Sequence, residues 1–269
     1  MEATTTGMNR TGSKMSPLGT KAMVDAANQL SPPQPIDTAG MEAERINYIH
    51  AADSVGSIPP PGSVKGTLKM GIAKMKGGQP TILMDKLGER IAFERGGTRL
   101  YDALLAKYNA LQDDGQDLLP PAEEAMGALA GDAASLAPVQ GESPAQTLLR
   151  IRNEEMQHFK MLAAEMERMG GDPTAMTPCA DVTATSTMGL MQVVTDPRTT
   201  LAQCFNAMLT AELTDNAGFE LLIMLAEDAG ESELAGKLLG AFTQEQEHLA
   251  VIKGWLAALV TRAAGTETV

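Results

Sequence analysis

Two of the chain's three histidines follow a glutamate by three residues, in Glu155-Met156-Gln157-His158 and in Glu245-Gln246-Glu247-His248. Residues three apart on an α-helix lie close around its axis, so each quartet can turn a carboxylate and an imidazole toward one metal ion from the same side. Two lone glutamates, Glu94 and Glu212, fall on two further segments of helical pattern and would complete a paired-metal site. In that arrangement each metal takes one histidine and one terminal carboxylate, while the two remaining carboxylates bridge the pair. Oxygen and imidazole ligands without thiolate suit iron or manganese, and zinc can enter by simple affinity. Four carboxylates buried together would each cost several kcal/mol, on the order given for isolated buried charges, whereas two divalent cations balance them. The competing reading places these residues on solvated helix faces, and it must then account for all four positions falling at helix centres.

The elements that position these residues are readable from apolar periodicity and end signals. One helix runs from about Thr81 to Gln112. A second opens at Ser143-Pro144, an N-cap with proline at the first helical position, and closes at Gly170-Gly171. A third is expected to open in the same way at Asp196-Pro197 and to stop near Gly230. The fourth runs from Ser232 to about Ala264. A link of about three residues makes the last two antiparallel. The long stretch from Gly171 to Thr195, with Pro173 and Pro178, is read as a crossover that leaves helices two and three parallel. The link from Asp113 to Glu142 carries enough apolar residues for an extra turn or short helix.

The halves also match internally. Counting from Glu94 and from Glu212, the seventh residue is aromatic (Tyr101, Phe219), the eighth acidic (Asp102, Glu220) and the tenth leucine (Leu104, Leu222). Tyr101, two turns beyond Glu94, is read as a catalytic candidate, an electron donor or a hydrogen-bonding group beside the metals, with core packing as the alternative. Asp215, one turn beyond Glu212, is read as a partner for a ligand histidine or as a surface carboxylate. Trp255 is read as core or interface, and His50 as a surface residue. Gly96-Gly97 lie in the middle of a helix, where each costs about 1 kcal/mol relative to alanine. Either a close helix contact or an opening beside the metals would explain them.

Aromatic residues are 3% of the chain and apolar residues 43%, with Ala, Leu and Met abundant, so the expected class is all-α. Residues 1–80 are rich in Gly, Pro, Ser and Thr and read as an irregular N-terminal arm with short helical patches at about Thr20–Leu30, Met41–Ala52 and Gly66–Met75. The last carries Lys65, Lys69, Lys74 and Lys76 around Leu68, Met70, Ile72 and Met75, an amphipathic pattern expected to lie on the bundle. The arm holds 8 Lys+Arg against 6 Asp+Glu and residues 81–269 hold 13 against 28, so an acidic body carries a mildly basic arm. Such a body repels nucleic acid. Cys179 and Cys204 form no metal-binding spacing and are read as reduced thiols. With no membrane-length apolar run and no secretory leader pattern, the expectation is a cytoplasmic chain without membrane partners.

The order lone Glu, Glu-x-x-His, lone Glu, Glu-x-x-His resembles the ferritin-like superfamily of di-iron carboxylate four-helix bundles, over residues 81–264. Its ligand set is similar to that of bacterioferritins and rubrerythrins, in which both metals have a histidine. The stretch from Gly170-Gly171-Asp172-Pro173-Thr174 to Asp181, followed by Asp196-Pro197-Arg198, resembles bacterial ferritin-like domain proteins. The resemblance implies a ferritin-like bundle over 81–269 with a long crossover between helices two and three. It also implies two iron ions per chain, manganese being the alternative, on Glu94, Glu155, His158, Glu212, Glu245 and His248. The implied activity is reduction of dioxygen or hydrogen peroxide, with ferrous iron or an outside reductant as electron donor. Manganese catalase-like peroxide dismutation, or a non-catalytic metal-binding role, are the alternatives. No rubredoxin-like pair of CxxC motifs is present, and the 80-residue arm is unlike storage ferritins. The expected assembly is therefore a small homo-oligomer, a dimer, and not a closed shell.

Overall fold

The computed structural model describes residues 17–31, 37–59, 62, 80–112, 118–127 and 140–266. Among them every regular element is a helix. These are α1 (Pro17–Leu30), α2 (Ala39–Ala51), α3 (Pro80–Gln112), α4 (Ala122–Gly127), α5 (Pro144–Met169), α6 (Pro178–Thr195), α7 (Leu201–Asp228) and α8 (Ser232–Thr266). The all-α expectation holds. The chain divides into two compact units, Met1–Ser54 and Val55–Val269. In the first, α1 and α2 fall where two short patches were expected, and α2 buries no residue. The lysine-bearing patch Gly66–Met75 lies outside the described residues. No described helix is long and apolar enough to cross a membrane.

In the second unit four long helices close a ring: α3 packs on α5 and α7, and α8 packs on α7 and α5. Ion pairs and ring contacts give the directions. Glu94 meets His158 while Asp102 meets Arg152, so α3 and α5 run antiparallel. Glu154 meets His248 while Glu165 meets Lys237, so α5 and α8 do too. The Phe205–Trp255 ring contact and the bond from Asn216 Nδ2 to the Glu245 carbonyl set α7 against α8 in the same manner. On α3 and α7, Lys107 faces Cys204 and Arg90 faces Asp215. Helices α5 and α7, each opposed to α3, are therefore parallel.

The end signals explain most of these boundaries. At α5 the Ser143 hydroxyl accepts from the Gln146 amide and the Gln146 side chain accepts from the Ser143 amide, a reciprocal box that satisfies two otherwise orphaned donors. The α5 C-terminus ends on Gly170 at φ 91°, in the left-handed region glycine tolerates.

Two expectations need correction. The segment Gly171–Thr195, read as a crossover with no helix assigned to it, contains the 18-residue helix α6. Thr177 caps it and Pro178 takes its first position, the same signal as Ser143-Pro144. At about 1.5 Å per residue, α6 carries the chain roughly 27 Å, from the end of α5 toward the start of α7. Its start is fixed on α3. Asp85 Oδ1 accepts from the Cys179 amide at 2.9 Å, the Thr177 hydroxyl donates to the Asp85 carbonyl at 3.1 Å, and Gly88 leaves room for the Thr177 side chain. The second correction concerns α7, which opens at Leu201 and not at Asp196-Pro197. Asp196 instead ends α6, its carboxylate taken by Arg198, and the cap is a Thr200–Gln203 box.

The interior is layered. One apolar cluster gathers Leu104, Ile151, Phe205, Val251 and Trp255, and the other gathers Leu87, Leu162, Phe219, Leu222 and Leu238. Glu94, Glu155, Glu212 and Glu245 belong to neither and sit between them along each helix. The short helix α4 covers α8 at the first cluster, where the Trp255 indole N–H donates to the Pro120 carbonyl at 2.9 Å. Trp255 is core, as expected. A β-carbon on Gly254 would stand 2.6 Å from the Ala125 carbonyl oxygen, so this contact requires glycine. Gly254→Ala should therefore lower stability by about 1–3 kcal/mol through overpacking, measured by chemical denaturation, with metal content unchanged.

Candidate metal centre

Glu94 on α3, Glu155 and His158 on α5, Glu212 on α7, and Glu245 and His248 on α8 meet at one level of the ring, and none is more than 3% exposed. Their ligand atoms fall into two overlapping sets, each within mutual reach of one ion. One set is Glu155, Glu212, Glu245 and His248, and the other is Glu94, His158 and Glu245. Glu155 also comes within the same reach of Glu94 and Glu245. The two half-sites thus each contain one histidine and one of the lone glutamates, with Glu155 and Glu245 between them. All six residues picked out by spacing are brought together.

The helices are fastened at this level. Asn216 donates to the Glu212 carbonyl at 2.9 Å and to the Glu245 carbonyl at 3.0 Å, which sets the register of α7 against α8 at their ligands. On α3, a β-carbon at Gly97 would lie 2.1 Å from Glu155 Oε2, so only glycine lets α5 bring that carboxylate so close to the α3 backbone. Gly96 is different, since a β-carbon there would meet nothing within 4 Å. The mid-helix glycine pair combines one tight contact with one open position.

Both imidazoles are oriented from outside the cluster. His248 Nε2 lies 2.8 Å from Glu154 Oε2, and a carboxylate oxygen only accepts, so Nε2 carries the proton of that bond. His158 Nε2 lies 2.9 Å from Gln244 Oε1. The Gln244 amide is turned by its own N–H, which donates to Glu154 Oε1 at 3.3 Å, so its oxygen must accept from His158. Each Nδ1 then faces the carboxylates. His248 Nδ1 stands 3.2 Å from Glu245 and 3.6 Å from Glu155, and His158 Nδ1 stands 2.6 Å from Glu245 and 3.6 Å from Glu94. Glu154 and Gln244 each precede a bridging glutamate by one residue, and each serves the histidine on the opposite helix. Sequence reasoning missed both. Their positions one before each Glu-x-x-His quartet were the available signal.

Crowding and burial govern the electrostatics. For the chain's own groups, burial pushes Glu94 up to about 7, with neighbouring Glu155 and Glu245 adding to it against His158. Burial likewise holds Glu155, Glu212 and Asp215 well above the carboxylate range. Burial alone would discharge the imidazoles, but the adjoining carboxylates outweigh it and take His158 up to about 11 and His248 well above its ordinary value. Glu245 moves the other way. Burial would raise it, yet His248 and His158 on either side keep it below the usual range.

Three further buried groups, Asp215, Arg90 and Tyr101, belong to the cluster. Asp215, expected to hold a ligand histidine or to lie at the surface, does neither, because it is three residues after Glu212 on the same inward face of α7. It lies within ion-binding reach of Glu94, Glu155 and Glu245 and pairs with Arg90 of α3. Arg90 is buried, stacks over Phe93 at 4.1 Å and occupies the room left by Gly218. The sequence carried no signal for Arg90, one basic residue among many on helical pattern. Tyr101 is buried, and its hydroxyl donates to Glu212 Oε1 at 2.5 Å. At the matching position Phe219 packs edge-on against His158, ring centroids 5.7 Å apart. His50 is exposed on α2.

The residues fit a pair of divalent cations. Glu94 Oε1 and Oε2, Glu155 Oε2 and Glu212 Oε2 are buried oxygens with no hydrogen-bond partner, and Glu245 Oε1 has only His158 Nδ1, 2.6 Å away, beside it. Such atoms carry the full desolvation cost unless something positive lies among them. With neutral imidazoles the cluster holds five carboxylates and one guanidinium, a net charge of −4 that two divalent ions cancel. Neither a family model, nor a curated protein, nor a solved structure matches the chain.

Two variants test this geometry. Gly97→Ala should displace the Glu155 carboxylate and reduce bound metal by at least tenfold in affinity while the helices persist, as read by elemental analysis and circular dichroism. Glu154→Gln removes the charge that holds His248 by its outer nitrogen and should weaken metal binding by about 10–100-fold, measured by competition with a chelator.

Proposed function

We propose that this chain is a ferritin-like di-metal carboxylate protein, with the long connection through α6, that binds two iron ions and reduces dioxygen or hydrogen peroxide. The observation that carries this reading is the set of unpartnered carboxylate oxygens among six buried residues, whose two half-sites share Glu245 and between which Glu155 reaches both lone glutamates. When bound, the two ions would supply the electrons for reducing the oxidant, replenished by ferrous iron as substrate or by an outside reductant.

The chain's own contributions follow from its contacts. Glu155 and Glu245 lie between both half-sites and so can bridge, while Glu94 and Glu212, each in one half-site, are the terminal carboxylates. His158 and His248 present Nδ1, and Glu154 and Gln244 keep the proton on Nε2, away from the ions. Tyr101 holds its proton firmly, because burial, with Glu212 beside it, raises its pKa well above the ordinary value. It therefore acts as a donor that orients Glu212 and leaves the other carboxylate oxygen for the ion. The apolar clusters above and below shield the carboxylates from water along the helix axes.

Elemental analysis of the purified chain should find about two metals per chain, falling sharply in Glu155→Ala and in His248→Ala. Ferrous loading under air should then consume dioxygen. Retention of both metals in either variant would overturn the ligand assignment. Oxygen release from peroxide without reductant would instead assign manganese dismutation, and metal binding without turnover would leave a non-catalytic role.

Stability should depend on pH in a metal-specific manner. Glu94 rises from 4.5 to about 7 and His158 from 6.5 to about 11 on folding, so both take up protons as the chain folds. Their contribution is full below the unfolded values and is lost as pH climbs through the folded ones. Glu245 and Glu154 are depressed and act oppositely, but only around and below pH 4.5. The melting temperature of chelator-stripped protein should accordingly fall between pH 5 and 9. Metal-loaded protein should melt higher with a shallower slope. Superimposable melting curves with and without metal would show that the carboxylates do not hold cations.

A further inference from the structure

A half-open apolar pocket with a volume of about 210 Å³ lies between α3 and α6, walled by Phe93, Gly96, Gly97 and Leu100 on one side and by Met191 and the exposed Met188 on the other. No charged side chain lines it. Thr187, also at the wall, spends its hydroxyl proton on the Thr183 carbonyl at 2.8 Å. A charged or strongly polar molecule entering this space would shed water and find few partners, at a cost of several kcal/mol. An enclosed apolar cavity of roughly 150 Å³ has room for benzene, so this pocket is large enough for a small organic molecule seated against its apolar floor. The two glycines connect the cavity to the carboxylates. Gly96 has open space where a side chain would stand, and Gly97 lies in the cavity wall while its inner face touches Glu155 Oε2. That oxygen is one of the buried atoms without a partner.

We propose that the cavity between α3 and α6 is a binding site for a small, uncharged, apolar organic molecule, held one backbone's thickness from the bridging carboxylate Glu155. Its meaning as a substrate or effector site rests on the di-metal reading, while the binding itself does not. Helix α6 thus serves as the outer wall of a site whose inner wall is the glycine pair of α3.

Benzene is the probe, titrated into the full chain as purified, with metal content measured on the same sample. Saturable binding is expected, and in Gly96→Leu it should weaken by more than tenfold, because the side chain grows into the cavity. Metal content should stay at the wild-type value. Ala184→Leu, from the exposed α6 wall, should have the same effect and serves if Gly96→Leu does not fold. In iron-loaded protein the benzene proton signal should also relax faster than in stripped protein, reporting proximity to the paramagnetic ions. Absence of saturable binding, equal binding in both variants, or relaxation indifferent to iron in a chain carrying two metals would overturn the proposal. Benzene binding in a chain that holds no metal would instead overturn the di-metal reading and leave the cavity site standing.

Discussion

Five carboxylates share the interior of this protein with one guanidinium, and the rest of the second unit is arranged around the need to neutralise them. Glu94, Glu155, Glu212, Glu245 and Asp215 are all buried, and Arg90 answers only Asp215 by direct contact. Each uncompensated charge would cost several kcal/mol, comparable with the total stability of a domain. Without cations the cluster can persist only by holding protons, which is what the raised Glu94, Glu155 and Glu212 and the charged imidazoles represent. Two divalent ions, where bound, would remove that burden in one event, so that metal binding and folding stability would become one free energy.

The site has an approximate internal symmetry with one informative break. Each ligand histidine is held through its outer nitrogen by the residue preceding the opposite quartet, but that residue is a carboxylate for His248 and an amide for His158. Arg150 sits against Glu154 at 3.0 Å and ties the carboxylate side into a surface network with Glu142 and Glu247. A second break is Tyr101 against Phe219, which gives Glu212 a hydrogen bond that Glu94 lacks. The two half-sites are thus alike in ligands and different in surroundings, a basis for unequal affinity or potential.

The convergence of the six residues was legible because helical geometry turns a spacing of three into a shared direction and because antiparallel helices share their midpoints. Linker lengths gave the antiparallel course of α7 and α8 and the parallel course of α5 and α7, while the long link after α3 gave no direction for that helix. Helix α6 carried a signal too, since Thr177-Pro178 repeats that of Ser143-Pro144, but the stretch was read only as a crossover and no helix was assigned to it. Asp196-Pro197 misled in the opposite way, because a carboxylate ahead of proline suits a turn as well as a helix start, and Arg198 claims that carboxylate. Arg90 lay beyond reach, because its role arises from a contact between helices distant in sequence and nothing in its local pattern separates it from a charged residue at a solvated face. Asp215 was singled out by its place one turn beyond Glu212 but its partner Arg90 was not, and Glu154 and Gln244 were marked only by preceding each quartet by one residue.

The central claim is that the six buried side chains hold two ions, one against each inward imidazole nitrogen. Anomalous diffraction at the iron edge, from crystals of protein loaded anaerobically with ferrous iron, tests it most directly. The account predicts two peaks per chain, one beside His158 Nδ1 with Glu94 and one beside His248 Nδ1 with Glu212, and Glu155 and Glu245 contacting both. A cluster without anomalous density, or a single ion that leaves one imidazole and its glutamate unengaged, would contradict it.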